Sequence, residues 1–67
     1  MASYYETYFV NRNVQLWPGD TDAKYGTIIA ASSEGIILRM TESRSHHMPA
    51  GSDYFIPWSG AKLRFVE

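Results

Sequence analysis

The amino-acid sequence predicts an all-β domain in which five short antiparallel strands form a strongly bent, partly open barrel. Short runs of β-branched, aromatic and aliphatic residues are separated by clusters of Gly, Pro, Ser and Asp. The chain has 67 residues, which is enough for one domain only. Hydrophobic residues make up 45% of it and aromatic residues 15%, a composition typical of a folded chain rather than a disordered one.

The N-terminal segment predicts a short helix over residues 4–9. Two aromatic pairs, Tyr4 with Tyr8 and Tyr5 with Phe9, have the four-residue spacing that brings side chains together on one side of a helix. The same residues are good strand formers, so a strand is the alternative. We expect these aromatic side chains to cover the open end of the barrel, to pack on a neighbouring subunit or to form a binding patch.

Alternating and clustered apolar residues predict the strands at residues 13–17, 24–31, 36–40, 54–56 and 62–66. Gly26 inside the second strand indicates a bulge or bend. Gly35 ends the tight turn at residues 32–35 and suits a positive φ. Pro57 has no N–H to donate, so the fourth strand ends there or lies at a sheet edge.

Turns and loops account for the remaining segments. Pro18, Gly19 and Asp20 begin a turn that extends to residue 23, residues 41–52 form a polar loop, and residues 58–60 form a tight turn. The residues expected to supply much of the core and of any subunit interface are Val14, Leu16, Ile28, Ala30, Ile37, Phe55, Ile56, Leu63 and Phe65.

So small a chain needs additional stabilisation beyond its own core. It has no cysteine for a disulfide or a Cys-based zinc site, so self-association is the expected source of buried surface. Five antiparallel strands also leave two edges on which another chain can pair. The lack of cysteine fits a cytoplasmic location, and no apolar stretch approaches the length of a membrane span.

The order of these segments resembles the Sm-like (LSm) superfamily, in particular its small bacterial and phage members. Residues 13–16, 26–31 and 35–38 resemble the first family block, and residues 54–59 with the strand after them resemble the second. The resemblance implies a single Sm-like domain over residues 1–67. Its parts would be an N-terminal helix or extension at 1–12, the first block at 13–40, a variable loop at 41–53 and the second block at 54–67.

The resemblance implies an Sm-like or SH3-like open barrel and a homo-oligomeric ring of about five to seven subunits. In such rings the fourth strand of one subunit pairs with the fifth strand of the next. The interface residues implied here are Tyr54, Phe55, Ile56, Leu63 and Phe65. The family commonly binds single-stranded RNA at the pore, with one turn from each block.

The RNA-binding candidates are Trp58, Ser59, Ser32, Ser33, Arg39, Lys62 and Arg64. Trp58 would stack on a base, and the basic residues would contact phosphates. Both pore turns depart from the family pattern, because Ser32–Gly35 lacks the family's aspartate and asparagine and Pro57-Trp58 replaces an arginine–glycine pair. Glu34 would repel phosphate. Most candidates also have a structural role open to them: core or interface packing for Trp58, a plain hairpin turn for the serines at 32 and 33, and a solvated strand face for Lys62 and Arg64.

Six basic and seven acidic residues give a formal net charge of -1, which provides no overall attraction to nucleic acid. No nucleophile–base pair, phosphate-binding loop or metal-ligand spacing is present in the sequence, so we expect no enzyme activity, no cofactor and no metal. Neighbouring His46 and His47 fit a polar loop. Two further functions stay open: an SH3-like module that binds peptides through aromatic residues, and a structural phage assembly protein that binds no RNA.

Overall fold

The structure, a computed structural model, describes residues 4–19 and 21–66. Residues 1–3 and 67 lie outside this part, as does Asp20 of the predicted first turn. The described part folds into a short helix and five strands. They are α1 (Tyr4–Phe9), β1 (Asn13–Leu16), β2 (Lys24–Ala31), β3 (Gly35–Ser43), β4 (Asp53–Pro57) and β5 (Leu63–Phe65), with a single 3-10 turn, η1 (Trp58–Gly60), between β4 and β5.

All five strands join one antiparallel sheet in the order β4-β3-β2-β1-β5. The mostly-β fold and the short N-terminal helix are confirmed. The segment after α1 is tied to β2 by backbone hydrogen bonds from Asn11 N to Ile28 O, at 2.7 Å, and from Ile28 N to Arg12 O, at 3.0 Å. In the strand order of the sheet, β4 and β5 are the two end strands, although they follow one another in sequence.

The core lies on one face of the sheet. Its buried hydrophobic residues are Val14, Leu16, Ile28, Ala31, Ile36, Leu38, Met40 and Ile56. The predictions for Val14, Leu16, Ile28 and Ile56 are confirmed. Aromatic residues of α1 and η1 pack partly buried against this cluster.

Other predicted core residues lie elsewhere. Ala30, Ile37 and Leu63 are half-buried, and Phe55 and Phe65 are exposed. The β2–β3 register shifts between Ile28 and Ala30, so strict alternation along β2 stops there and the next core side chain is Ala31. In β3 the buried side chains are those of Ile36, Leu38 and Met40, and Ile37 faces the other side of the sheet.

The strand boundaries also differ from the predictions. β3 continues to Ser43, because Ser43 and Glu42 pair with Lys24 and Tyr25 of β2, so residues 41–43 are not part of the loop. A register shift between Tyr25 and Gly26 confirms the predicted bulge. β4 includes Pro57 as its last residue, at an edge as expected.

The prediction of a positive φ at Gly35 is wrong. Gly19 and Gly51 are the glycines with positive φ among the described residues. A Cβ at Gly35 would instead collide with the carbonyl oxygen of Ile56 and lie 2.8 Å from Pro57 Cα. Glycine is therefore needed here for the close approach of β3 to β4 rather than for turn geometry.

The first strand ends one residue earlier than predicted. Trp17 takes a φ of 50°, in the left-handed region that bulky side chains rarely occupy. This turn in the backbone ends β1 at Leu16. At the other end of the chain, β5 contains only residues 63–65, so Lys62 and Val66 flank it.

Candidate functional site

Two turns, which the Sm-like resemblance would place at a pore, meet in the structure. The indole Nε1 of Trp58 donates a hydrogen bond of 2.7 Å to the carbonyl oxygen of Ser32. The backbone N–H of Trp58 donates to Glu34 O at 3.4 Å, and Glu34 N donates to the Ser32 hydroxyl oxygen at 3.2 Å. The turn between β2 and β3 and the η1 turn therefore form one continuous surface, which we call the joined turns (residues 32–34 and 58–60).

The ring of Trp58 packs against α1. Its centroid lies 4.9 Å from that of Phe9 and 5.9 Å from that of Tyr5, and the side chain is half-buried. Packing on one side and the Nε1 hydrogen bond hold the indole in a single orientation. Ser33 and Ser59 are exposed on the same joined turns. The tryptophan thus connects the joined turns to the helix.

A second tryptophan holds η1 from the β1 side. Trp17 Nε1 donates a hydrogen bond of 2.7 Å to Gly60 O. Lys24 lies beside the Trp17 ring, with its Nζ 5.5 Å from the ring centroid and 3.1 Å from the carbonyl oxygen of Asp22, to which it donates. Only 4% of Lys24 is exposed, so the aromatic face and the carbonyl replace part of its lost hydration. Sequence analysis missed this contact.

Arg39 does not belong to the joined turns. It lies on β3 opposite Asp53 of β4, toward the other end of those strands. Its Nε and Nη2 donate to the two carboxylate oxygens of Asp53 at 2.9 and 3.1 Å. The hydrogen bond from Arg39 lowers the pKa of Asp53, and the hydrogen bond to Asp53 raises the pKa of Arg39. A cation held in a two-point ion pair is a poor candidate for a phosphate contact.

The other predicted basic residues lie on or next to β5. Lys62 follows η1, with its backbone N–H donating to Gly60 O at 3.2 Å, and its side chain is exposed. Arg64 is exposed on β5, opposite Gln15 of β1. Of the two, Lys62 is nearer in sequence to the joined turns, and it is the cation that best fits a contact with a phosphate group there.

Arg12 is a further charged residue that sequence analysis missed. Its guanidinium carbon lies 4.3 Å from the ring centroid of Phe65 and 5.7 Å from that of Tyr8. Arg12 Nη1 also donates to the backbone oxygen of Tyr8 at 3.4 Å. The four-residue spacing of Tyr8 and Arg12 is the sequence signal that would have indicated this pair.

The free edge of β4 exposes backbone groups of Phe55. Met40 N donates to Ser52 O next to one end of the β3–β4 ladder, and Trp58 N donates to Glu34 O next to the other. Bonding positions alternate along an antiparallel ladder, so every second residue of β4 bonds to β3. The N–H and C=O of Phe55 therefore point away from β3, toward the edge. Its side chain is 56% exposed.

The free edge of β5 exposes Phe65 in the same way. Trp17 N donates to Lys62 O at one end of the β1–β5 ladder, and Val66 N donates to Asn13 O at the other. The alternation directs the backbone groups of Phe65 away from β1. Both end strands thus present an aromatic residue whose backbone hydrogen-bonding groups face outward.

The predicted interface residues fall into two groups. Phe55 and Phe65 lie at the free edges with exposed side chains. Ile56 is buried in the chain's own core, and Tyr54 and Leu63 are half-buried against it. The Tyr54 hydroxyl donates to His47 O at 3.2 Å. Side-chain contacts with a neighbour are therefore open mainly to the two phenylalanines.

No group of three or more metal-ligating residues occurs in residues 4–19 and 21–66. His46 and His47 are both exposed in the loop after β3. Over the same described residues, none of the helical structure is long and apolar enough to cross a membrane.

Comparison with protein-family models, with curated proteins and with solved structures found no match for this chain. A function is therefore inferred from its own side chains, turns and strand edges. The joined turns and the two free edges are the features from which binding and assembly are inferred.

Proposed function

We propose that the protein is an Sm-like open-barrel subunit that assembles into a homo-oligomeric ring of about five to seven copies. We further propose that the ring binds single-stranded RNA at the joined turns. The observation that carries the assembly is the position of β4 and β5 at the two ends of one sheet, each with outward-facing backbone groups. Such edges are templates for pairing with another chain.

Pairing between β4 of one copy and β5 of the next uses two different surfaces. Each copy then offers a β4 edge on one side and a β5 edge on the other, which is a heterologous contact. A heterologous contact gives a ring when its rotation closes and an open filament when it does not; we propose that it closes here. Closure leaves no unpaired edge, and it buries Phe55 and Phe65, which the single chain leaves exposed.

The energetic need for assembly comes from the small core. A domain below about 70–80 residues rarely gains more than about 3–5 kcal/mol from one hydrophobic core. Among the described residues this core consists of eight buried aliphatic and methionine side chains, and the chain has no cysteine. Burying further apolar surface between copies stabilises the folded chain by mass action.

The joined turns support the RNA part of the proposal. The Trp58 indole is held by its hydrogen bond to Ser32 O, the exposed Ser33 and Ser59 lie in the same joined turns, and Lys62 follows η1. Stacking of a base on an aromatic side chain contributes about 1–3 kcal/mol in single-strand binders. The opposing feature is Glu34, whose carboxylate lies in the same turn. A ring repeats all of these groups around its axis, so weak contacts add up over several subunits.

The assembly is tested by the mass of the purified chain, measured by light scattering coupled to size exclusion over a range of concentrations. We expect a mass equal to that of several chains. This mass should stay constant at the higher concentrations, because a closed ring has no free edge to which a further copy can bind. A folded monomer at micromolar concentration would refute the ring.

RNA binding is tested by fluorescence anisotropy with a labelled uridine-rich or adenine-rich oligonucleotide at several salt concentrations. We expect affinity to fall as salt rises, and Lys62→Ala to weaken binding and reduce the salt dependence. Arg39→Ala is the matched control, because that cation is already paired with Asp53 away from the joined turns. A ring that binds no RNA at low salt would indicate a purely structural assembly protein.

One contact favours a second function, an SH3-like module that binds peptides. Tyr5 and Trp58 lie with ring centroids 5.9 Å apart, as neighbouring residues of an aromatic peptide groove would. A monomer that binds a proline-rich peptide, with changes in the NMR chemical shifts of these two residues when the peptide is added, would support this function over the ring. In either role, the absence of cysteine suits the reducing cytoplasm.

A further inference from the structure

Exposed apolar side chains collect at two separate places on the described chain. One is the helix patch, made by Tyr8 of α1 and Phe65 of β5 with Arg12 between them. The other is the β4 patch, made by Phe55 with Ile37 and Ala30 on the same side of the sheet. The two patches lie at opposite edges of the strand order.

The helix patch is held together by ring contacts. The centroids of Tyr8 and Phe65 lie 6.3 Å apart in an edge-to-face arrangement. Phe9 stacks on Phe65 from the core side, at 6.1 Å. The Arg12 guanidinium covers Phe65 at 4.3 Å. These contacts fix the rings in position, although Tyr8 remains 46% exposed. A rigid aromatic surface of this kind loses little conformational entropy when a partner covers it.

The β4 patch is concave. Ala30 and Phe55 flank Ile37 on neighbouring strands, as cross-strand partners on the side of the sheet away from the core. Between them lies a depression of about 110 Å³, which Ala31, Ser32, Gly35 and Ile36 also line. It is the apolar hollow next to the exposed ring of Phe55.

Antiparallel pairing between copies would place the two patches on the same side of the joined sheet. Residues that face each other across an antiparallel ladder point their side chains in the same direction. Phe55 shares its outward backbone direction with Asp53 and Pro57 on β4, and Phe65 shares its own with Leu63 on β5. Both phenylalanines therefore occupy bonding positions of the new ladder. Phe55 of one copy then lies on the same face of the joined sheet as Phe65 and Tyr8 of the next copy.

We infer that helix α1 is part of the subunit contact, with Tyr8 and Phe65 of one copy covering Phe55 and the adjacent depression of the next copy. This inference rests on the assembly proposed above and names its occupant as a second copy of this chain. The helix thus adds a side-chain contact to the backbone pairing of the edges.

The test uses two variants that each block one patch. Tyr8→Glu places a charge in the helix patch, and Phe55→Glu places one in the β4 patch. Thr7→Glu is the matched control, since Thr7 is exposed on the same helix and no ring contact involves it. The mass of each variant is measured by light scattering as a function of concentration. Circular dichroism checks that each variant keeps its fold.

We expect Tyr8→Glu and Phe55→Glu to need at least about tenfold higher concentration for assembly than the native chain, the change typical of a central interface residue. Thr7→Glu should assemble as the native chain does. An equimolar mixture of Tyr8→Glu and Phe55→Glu should form a complex of two chains, because each variant keeps the patch that the other lacks. If Tyr8→Glu does not fold, Tyr8→Gln, which removes the ring without adding charge, is measured in its place.

The outcomes separate this inference from the proposed function. If the Tyr8 variant keeps the native mass while Phe55→Glu is a monomer, α1 is not part of the contact and edge pairing alone stands. If the mixture of blocked variants stays monomeric, the pairing of the two patches is overturned. If the native chain itself is monomeric, the assembly and the inference both fail.

Discussion

Replacing Gly35 by alanine tests the close approach of β3 to β4. A Cβ at this position would collide with Ile56 O, and it would lie 2.8 Å from Pro57 Cα and 3.0 Å from Ile56 C. All three atoms are backbone, so no side-chain rotation relieves the contact. Ordinary contact begins near 3.4 Å, so the first residues of β3 and the end of β4 must separate by about 0.6 Å or more.

The magnitude follows from two opposing effects. Forcing an extra carbon into a well-packed site costs about 1–3 kcal/mol. Alanine also restricts the unfolded chain more than glycine does, which returns about 0.4–1 kcal/mol. We expect a net loss of about 1–2 kcal/mol in the free energy of unfolding, or roughly 5–15 °C in melting temperature for so small a domain.

The measurement is thermal and urea unfolding followed by circular dichroism, with all chains at the same protein concentration because assembly also affects stability. Gly60→Ala is the matched control, since no described atom lies within 4 Å of a Cβ there and its φ is not positive. It should be neutral or slightly stabilising. Equal stability of Gly35→Ala and Gly60→Ala would refute the close-approach argument.

Two further predictions concern β3. Leu38→Ala removes a fully buried side chain and should lower the free energy of unfolding by about 2–5 kcal/mol, which is enough to unfold much of the chain. Ile37→Ala, on the outer side of the sheet, should lower it clearly less. Urea denaturation that ranks the two variants in the reverse order contradicts the face assignment. The lowered pKa of Asp53 means that its pairing with Arg39 stabilises the fold above the unfolded pKa of the aspartate, and that this contribution is lost as pH falls through the folded pKa. Arg39→Ala should therefore move the Asp53 titration, followed by NMR, to higher pH, and an unchanged titration would show that the pair does not form in solution.

Much of the candidate site was predictable from residue types and turns. Trp58 and the two serines at 32 and 33 follow from the turn signals before β3 and after β4, and the structure joins those turns. Arg39 was assigned to the same group because a strand position shows no ion-pair partner in sequence. Its partner Asp53 is 14 residues away and meets it only through the β3–β4 register.

The aromatic contact between α1 and β5 was not predictable in detail. Tyr8 and Arg12 show a helical spacing, but Phe65 lies at the opposite end of the chain. Their meeting depends on β5 pairing with β1 rather than with its sequence neighbour β4. Closing so long a segment has an entropic cost that no local pattern encodes.

The sequence by itself determined the positions of the helix and of most strand residues, because side-chain shape, turn residues and apolar alternation act over a few neighbouring residues. Tertiary structure decided which face of β3 is buried. Three consecutive apolar residues, Ile36 to Leu38, fit either face, and the pairing of Leu38 with the buried Ile28 of β2 selects one. The same holds for Gly35: only the packing of β4 against β3, a contact between segments distant in sequence, gives the physical reason for its missing side chain.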